Sequence, residues 1–348
     1  MRKLFLFFLL GLAACGNQQT NTPCQDDLDI SKIELKVEVI RLEDELFACK
    51  SKQDIKLFVA KYDTLFRRYD RYPINKPQDS LASRLWDMVQ NKFIDTLYKD
   101  VKIRFDDAKR GKWQQVVADF ERAFKHIKHA YPTFQAPKIY TTITGLGSFW
   151  GAPRSTDIYM DKQAIIVSLD FYYGKGARYR PPVEKTPAYI WNRFVAEAIV
   201  PTCLLNISNL YNATDNKDKT LIAKMVDFGK AYTFVRHMMP CLPDSTLAGY
   251  TKSELANLND KENKEYIWSY MIEKKVLFSD SPRIEATYMG ESPYIAEINK
   301  KCPGRIGCWI GWKILQKYQK KNPQISIQAL MSKKNAREIF EGSGFNGN

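Results

Sequence analysis

Apolar residues recur at two different periods along this chain, and the switch between them divides it into elements. Ile33, Leu35, Val37 and Val39 alternate with Glu34, Lys36 and Glu38, the period-two pattern of a half-buried strand. The spacing then changes to three and four. Ser51 followed by Asp54 marks a helix start, and Ile55, Phe58, Val59, Tyr62, Leu65, Phe66 and Tyr69 carry one apolar face until Tyr72-Pro73 stops it. A second helix opens near Ser80 with Leu81, Leu85, Met88, Val89, Phe93 and Leu97 as its buried stripe. A third carries Trp113, Val117, Phe120, Phe124 and Ile127 and ends at Tyr131-Pro132.

The middle of the chain is different. The β-branched runs 138–144 (KIYTTIT) and 164–169 (AIIVSL) flank a turn-rich stretch and predict two or three strands. Helical spacing returns over 189–205, interrupted or ended near Pro201, and over 221–239. Thr251 with Glu254 forms a capping box, 265–275 carries the aromatic stripe Tyr266, Trp268 and Tyr270, and 306–318 is a strongly apolar helix. With no internal repeat, the expectation is α+β: one mostly helical single domain around a small central sheet.

The first residues do not belong to that domain. Arg2 and Lys3 precede a short apolar stretch too brief to span a bilayer, and Leu12-Ala13-Ala14-Cys15 closes it with the spacing of a bacterial lipobox. The expected organisation is a lipoprotein signal peptide over 1–14, a lipidated polar tether over 15–28 beginning at Cys15, and a folded domain over 29–345. A net charge of +14 favours anionic partners. In an exported protein these are phospholipid, peptidoglycan or acidic protein rather than nucleic acid. Beyond Cys15 stand six cysteines, which allow 15 pairings. Proximity makes Cys302 with Cys308 the easiest closure, around Pro303-Gly304, and buried free thiols are the alternative.

Little of the residue pattern points to catalysis. His126, His129 and His237 are the only histidines, no HExxH spacing exists, and no metal or cofactor is expected. Gly145-x-Gly147 follows a strand but reads as a turn rather than a phosphate cradle. Asp170, with Glu197 or Asp227, supplies a carboxylate pair of the kind glycan hydrolysis uses. Rings and arginines cluster at Asp170, Phe171, Tyr172, Tyr173, Arg178, Tyr179 and Arg180, a composition suited to an interaction loop and equally to packing. Gly307 and Gly311, with Trp309 and Trp312, read as a close helix contact.

Several blocks carry a family resemblance: FKHIKHAYPTFQAPKIYTTITGL (124–146), IIVSLDFYYGKGARY (165–179), YTKSELANLNDKENKEYIWSYMIEKKVLFS (250–279) and GRIGCWIGWKILQKYQKKNPQISIQALM (304–331). With the lipobox, they resemble the GldB family of gliding motility lipoproteins of the Bacteroidetes, although Tyr173 stands where the family pattern has Leu. That family in turn resembles zincin-like, metallopeptidase-like layouts. Carried over, the HExxH helix falls at Asn192, Arg193 and Ala196, and the acidic residue before a glycine at Asp227. No histidine occupies a ligand position, which implies a peptidase-like scaffold without zinc. The resemblance implies a non-catalytic, lipid-anchored interaction module serving the motility apparatus and type IX secretion. It would face the periplasm, from the outer membrane rather than the inner, with envelope proteins as partners and peptidoglycan as the competing target.

Overall fold

A computed structural model describes residues 26, 28–69, 78–109, 111–147, 157–184 and 186–347. The expected signal peptide, Cys15, most of the tether and the Tyr72-Pro73 stop lie outside the described residues. The first alternating segment yields one short strand, β1 (Val39–Arg41). Burial does alternate before it, with Val37 buried and Glu34, Lys36 and Glu38 exposed. Backbone pairing begins only where Ile139 N donates to the Glu38 carbonyl at 2.9 Å. Periodicity reports which side chains are covered; a ladder also needs a neighbouring strand in register.

That neighbour is β2 (Lys138–Thr142), followed in the chain by β3 (Ile158–Met160) and β4 (Ala164–Ser168). The sheet order is β1-β2-β4-β3, with β1, β2 and β4 mutually parallel and β3 antiparallel on the edge. All five residues of β4 are buried, as the unbroken apolar run AIIVS requires of a strand covered on both faces.

Helices α1 (Leu42–Ala48), α2 (Lys52–Lys61), α3 (Asp63–Tyr69), α4 (Gln78–Gln90), α5 (Lys92–Asp106) and α6 (Trp113–Ala130) surround the first half of the sheet. The capping box at Ser51 and Asp54 forms as expected. The stripe from Leu81 to Leu97, expected as one helix, is two. The Asn91 side chain accepts from Phe93 N at 2.9 Å and Ile94 N at 3.4 Å, starting α5 anew while the apolar face continues.

After a 3-10 turn over Leu169–Tyr172 come α7 (Ala188–Trp191), a short 3-10 turn (Ala196–Ala198) and α8 (Ile199–Ser208). The expected helix over 189–205 is therefore interrupted, but not by Pro201. That residue lies in the first turn of α8, where a missing N–H leaves no bond unmade. The break falls earlier, where Val195 is extended and bridges Tyr173.

Helix α9 (Leu221–Met238) leads through α10 (Asp244–Ala248), α11 (Lys252–Asn259), α12 (Lys261–Glu273) and α13 (Pro282–Met289) to α14 (Ile306–Lys321). Helices α15 (Ile327–Ser332) and α16 (Ala336–Ser343) close the fold. The main seam is α9 against α14. A methyl built on Gly311 would lie 1.8 Å from the Met225 carbonyl oxygen, and one on Gly229 would lie 2.4 Å from the Gly311 oxygen. The two backbones touch, and only glycine permits it. Trp309 and Trp312 are buried beside this seam, so GCWIGW is packing, as its spacing suggested.

The cysteines correct one expectation. Cys302 and Cys308 are both free and buried, as is Cys203, while Cys49 is free and half-buried. The intervening Pro303-Gly304 turn leads into α14, whose first turn takes Cys308 into the core, so closeness in sequence does not bring the two sulfurs together. Cys241, in contrast, is disulfide-bonded.

The seam makes a sharp prediction. Gly311→Ala should lower unfolding free energy by about 3 kcal/mol or more in urea titrations, because backbone cannot yield to the added methyl. Gly176→Ala, which meets only the Tyr173 ring edge at 3.6 Å, should change stability by less than about 0.5 kcal/mol.

Candidate functional site

The turn after β2 holds the most constrained carboxylate. Gly145, Leu146 and Gly147 all have positive φ (64°, 54° and 80°), a run that aims successive N–H groups inward. Asp170 fills that concavity. Its Oδ2 accepts from Leu146 N at 2.6 Å, Thr144 N at 3.2 Å and Thr144 Oγ1 at 3.4 Å. Burial pushes the Asp170 carboxyl up to about 6, against these donors, which pull it down. The cradle that could have bound an anionic ligand is occupied by the chain's own carboxylate.

The rest of the expected interaction loop splits in two. Phe171 and Tyr172 are buried, packed on Phe194 at 5.5 Å each, and the Tyr172 hydroxyl donates to Asp157. Asp170, Phe171 and Tyr172 are thus interior, because the 3-10 turn folds them back onto the residues before α8. Tyr173 is half-buried. Arg178 is exposed and lies 3.6 Å from Asp100, Tyr179 stacks edge-on to Phe93 at 4.7 Å, and exposed Arg180 reaches the Lys175 carbonyl at 3.5 Å.

The positions carried over from a peptidase layout do not form a centre. Asn192 is exposed and Ala196 buried, on opposite sides of the break that separates α7 from α8. Arg193 binds both oxygens of Glu291 at 2.8 Å. Asp227 lies 3.6 Å from the Lys230 ammonium, which is fully buried and donates to the Ala213 and Lys333 carbonyls at 2.5 and 2.8 Å. Burial raises Asp227 to about 6 and lowers Lys230. Gly229, two residues after Asp227, serves the helix seam. The other candidate acid, Glu197, pairs with Lys112 at 3.1 Å. His126 is buried with Nε2 2.8 Å from Asp26, whereas His129 and His237 are exposed. Among the described residues no three His, Cys, Asp or Glu side chains gather as metal ligands.

A surface that sequence reading missed is more open. Between α12 and α14 runs a groove of about 370 Å³ with an apolar floor of Leu258, Ile267, Trp268, Ile306, Trp309 and Ile310. Lys264, Lys313, Lys317 and Lys320 rim it, and among the described residues no carboxylate lines it. Lys313 sits 4.2 Å over the Trp309 ring and bonds Gln316 at 3.1 Å. Burial against this floor lowers its ammonium pKa. Lys264, Lys313 and Lys320 form no ion pair among the described residues. The signal was present in the sequence: Trp309, Lys313, Lys317 and Lys320 follow one edge of a helix, and Lys264 stands four residues before Trp268. Only the fold brings residues of α12 and α14 to the lining of one cavity.

These features define a single, mostly helical α+β domain whose buried charges are satisfied internally and whose cationic groove is left open. The chain belongs to the family described as gliding motility protein GldB, whose pattern it matches over residues 23–347. No curated protein and no solved structure matches it. Membership carries a role in gliding motility and association with the cell envelope. No helix among the described residues is long and apolar enough to cross a membrane.

Asp170 gives a pH prediction. Its folded pKa of about 6 exceeds the ordinary 3.8, so the folded state holds its proton more tightly and ionisation costs stability. The cost is absent below about pH 4 and complete above about pH 6. Urea midpoints at several pH values should therefore show Asp170→Asn improving relative to wild type as pH rises through that window. Asp170→Ala, which strands the Thr144 and Leu146 donors, should cost about 3 kcal/mol below the window and less above it, because it too removes the titrating group.

Proposed function

We propose that this protein is a non-catalytic, lipid-anchored envelope lipoprotein that supports gliding motility as an interaction module. Its docking surface is the groove between α12 and α14, and the occupant is an acidic amphipathic helix of an envelope partner. The observation that carries this reading is a row of cations over an apolar floor, with no carboxylate among the described residues of its lining. Lys313, Lys317 and Lys320 span two helical turns, roughly 10 Å at 1.5 Å per residue. A single anionic head group would meet one of them. A helix with carboxylates at matching spacing would meet all three.

The carboxylate-hydrolase reading has less support, since Asp170 is enclosed by its own donors and Glu197 is paired with a lysine. Lipidation at Cys15 would keep the module at the membrane, where its partners in motility and secretion reside.

The test uses the lipidated chain with Lys313→Glu and Lys320→Glu introduced together. Wild-type protein should bind a synthetic amphipathic peptide bearing Glu at i, i+4 and i+7, read by tryptophan fluorescence, and binding should weaken with added salt. The double variant should lose at least tenfold in affinity and should fail to support gliding at normal abundance. Normal gliding by that variant, or wild-type binding to anionic vesicles but not to the peptide, would overturn the assignment.

A further inference from the structure

One end of the groove is already filled by this chain. After α16 the backbone turns at Gly344 (φ 58°), and Phe345 and Gly347 come back to line the groove with Trp268 and Lys317. The Phe345 ring stands edge-on to Trp268, with centroids 5.0 Å apart and planes at 88°. Lys317 Nζ donates to Asn346 Oδ1 at 3.0 Å and lies 5.8 Å from the centre of the Phe345 ring. We infer that segment 345–347 is a strap over the Lys317 end of the groove, and that an acidic helix entering the groove displaces it. This rests on the docking surface proposed above and adds its regulation, because the free protein holds that surface partly closed with its own side chains.

Three features of the strap point to displacement. Lys317 is the middle cation of the row Lys313, Lys317 and Lys320, and the amide that holds it comes from outside α14. A helix whose carboxylates match that row reaches Lys317 only where Asn346 gives way. The exchange favours the helix, since hydrogen bonds to a carboxylate are about twice as strong as those to a neutral acceptor. Trp268 is 9% exposed, and both Phe340, at 6.2 Å, and Phe345 pack on it. Phe340 is fixed within α16, whereas Phe345 lies beyond the helix and is itself half-buried. The strap is also flanked by glycine: Gly344 and Gly347 (φ 58° and 94°) stand where glycine moves between conformations at little cost. Between them, Phe345 N donates to Ser343 Oγ at 3.0 Å and Asn346 is exposed.

Displacement ties the strap to affinity. The apparent affinity of the helix is its intrinsic affinity multiplied by the fraction of protein with the strap open. Whatever loosens the strap therefore tightens docking, and whatever fastens it weakens docking. An edge-to-face aromatic pair contributes a factor of about two to ten beyond its buried area, which sets the scale of the effect. Were Phe345 a permanent part of the floor, its removal would take contact area from the helix and weaken docking. The two roles have opposite signs.

The experiment titrates the full chain with the peptide bearing Glu at i, i+4 and i+7, read by calorimetry so that altered surroundings of Trp268 do not enter. Phe345→Ala should tighten binding by about threefold to tenfold. Gly347→Ala should do the same with every groove side chain retained, because its methyl would lie 2.8 Å from Trp268 Cβ and lift the strap. Asn346→Asp, which gives Lys317 a carboxylate from its own chain, should weaken binding by a similar factor. Unchanged or weaker binding by both Phe345→Ala and Gly347→Ala would overturn the strap. A second readout needs no peptide: acetylation of Lys317, followed by mass spectrometry, should be faster in Phe345→Ala than in wild type, with Lys320 unchanged as the internal reference. Equal Lys317 rates, with the peptide binding wild type and variants alike, would remove the strap and leave the docking surface standing. A peptide that binds neither wild type nor any variant would remove the docking surface, and displacement with it.

Discussion

Helices α9 and α14 meet backbone to backbone at Gly229 and Gly311, and the rest of the molecule is arranged around that contact. No side chain fits between Gly311 and the Met225 carbonyl, so the two axes lie closer than side-chain packing would place them. One face of α14 is consumed by the seam, which frees its neighbouring edge, from Trp309 to Lys320, to form a wall of the groove. On α9, Lys230 is fully buried. Its charge is answered by two carbonyls and Asp227. Arg305 at the start of α14 crosses back to the Tyr232 hydroxyl at 2.7 Å, fixing the rotation of one helix on the other.

Buried charge is handled by the same rule elsewhere. Glu43 is fully enclosed and holds Arg41 and the Thr141 hydroxyl, the latter at 2.7 Å, and burial raises its pKa. Asp170 closes the turn after β2. An unpaired ion or polar group in the interior costs several kcal/mol, so each of these groups is committed to a neighbour. Residues that in sequence look like reactive candidates are committed in this way, whereas Lys264, Lys313 and Lys320 on the groove rim form no ion pair among the described residues. Electrostatics thereby divides the molecule into a self-satisfied interior and an anion-seeking groove.

The family membership and the groove bear on each other. The family carries a role in gliding motility, and the groove is the surface of this chain proposed to serve it. The groove supplies apolar area for affinity and a row of cations for orientation, the two components a helix-recognising surface needs.

Much of this was legible in the sequence. Helix identity, the strand pair around 138–169, the capping boxes at Ser51 and Thr251 and the close contact behind GCWIGW follow from local spacing and from what glycine permits. Tertiary structure decided the rest, because it depends on which segments become neighbours. Asn91 divides a continuous apolar stripe into two helices, and of the alternating run Ile33 to Val39 the sheet takes in only Val39, at the start of β1. The Asp170 turn draws three residues of an apparent surface loop into the core. Cys302 and Cys308 remain unlinked despite being six positions from each other, and the groove exists only because the fold brings residues of α12 and α14 to one cavity. A one-dimensional pattern records which side of each element seeks cover; the partner that provides it is set by the global minimum of packing, hydrogen bonding and charge.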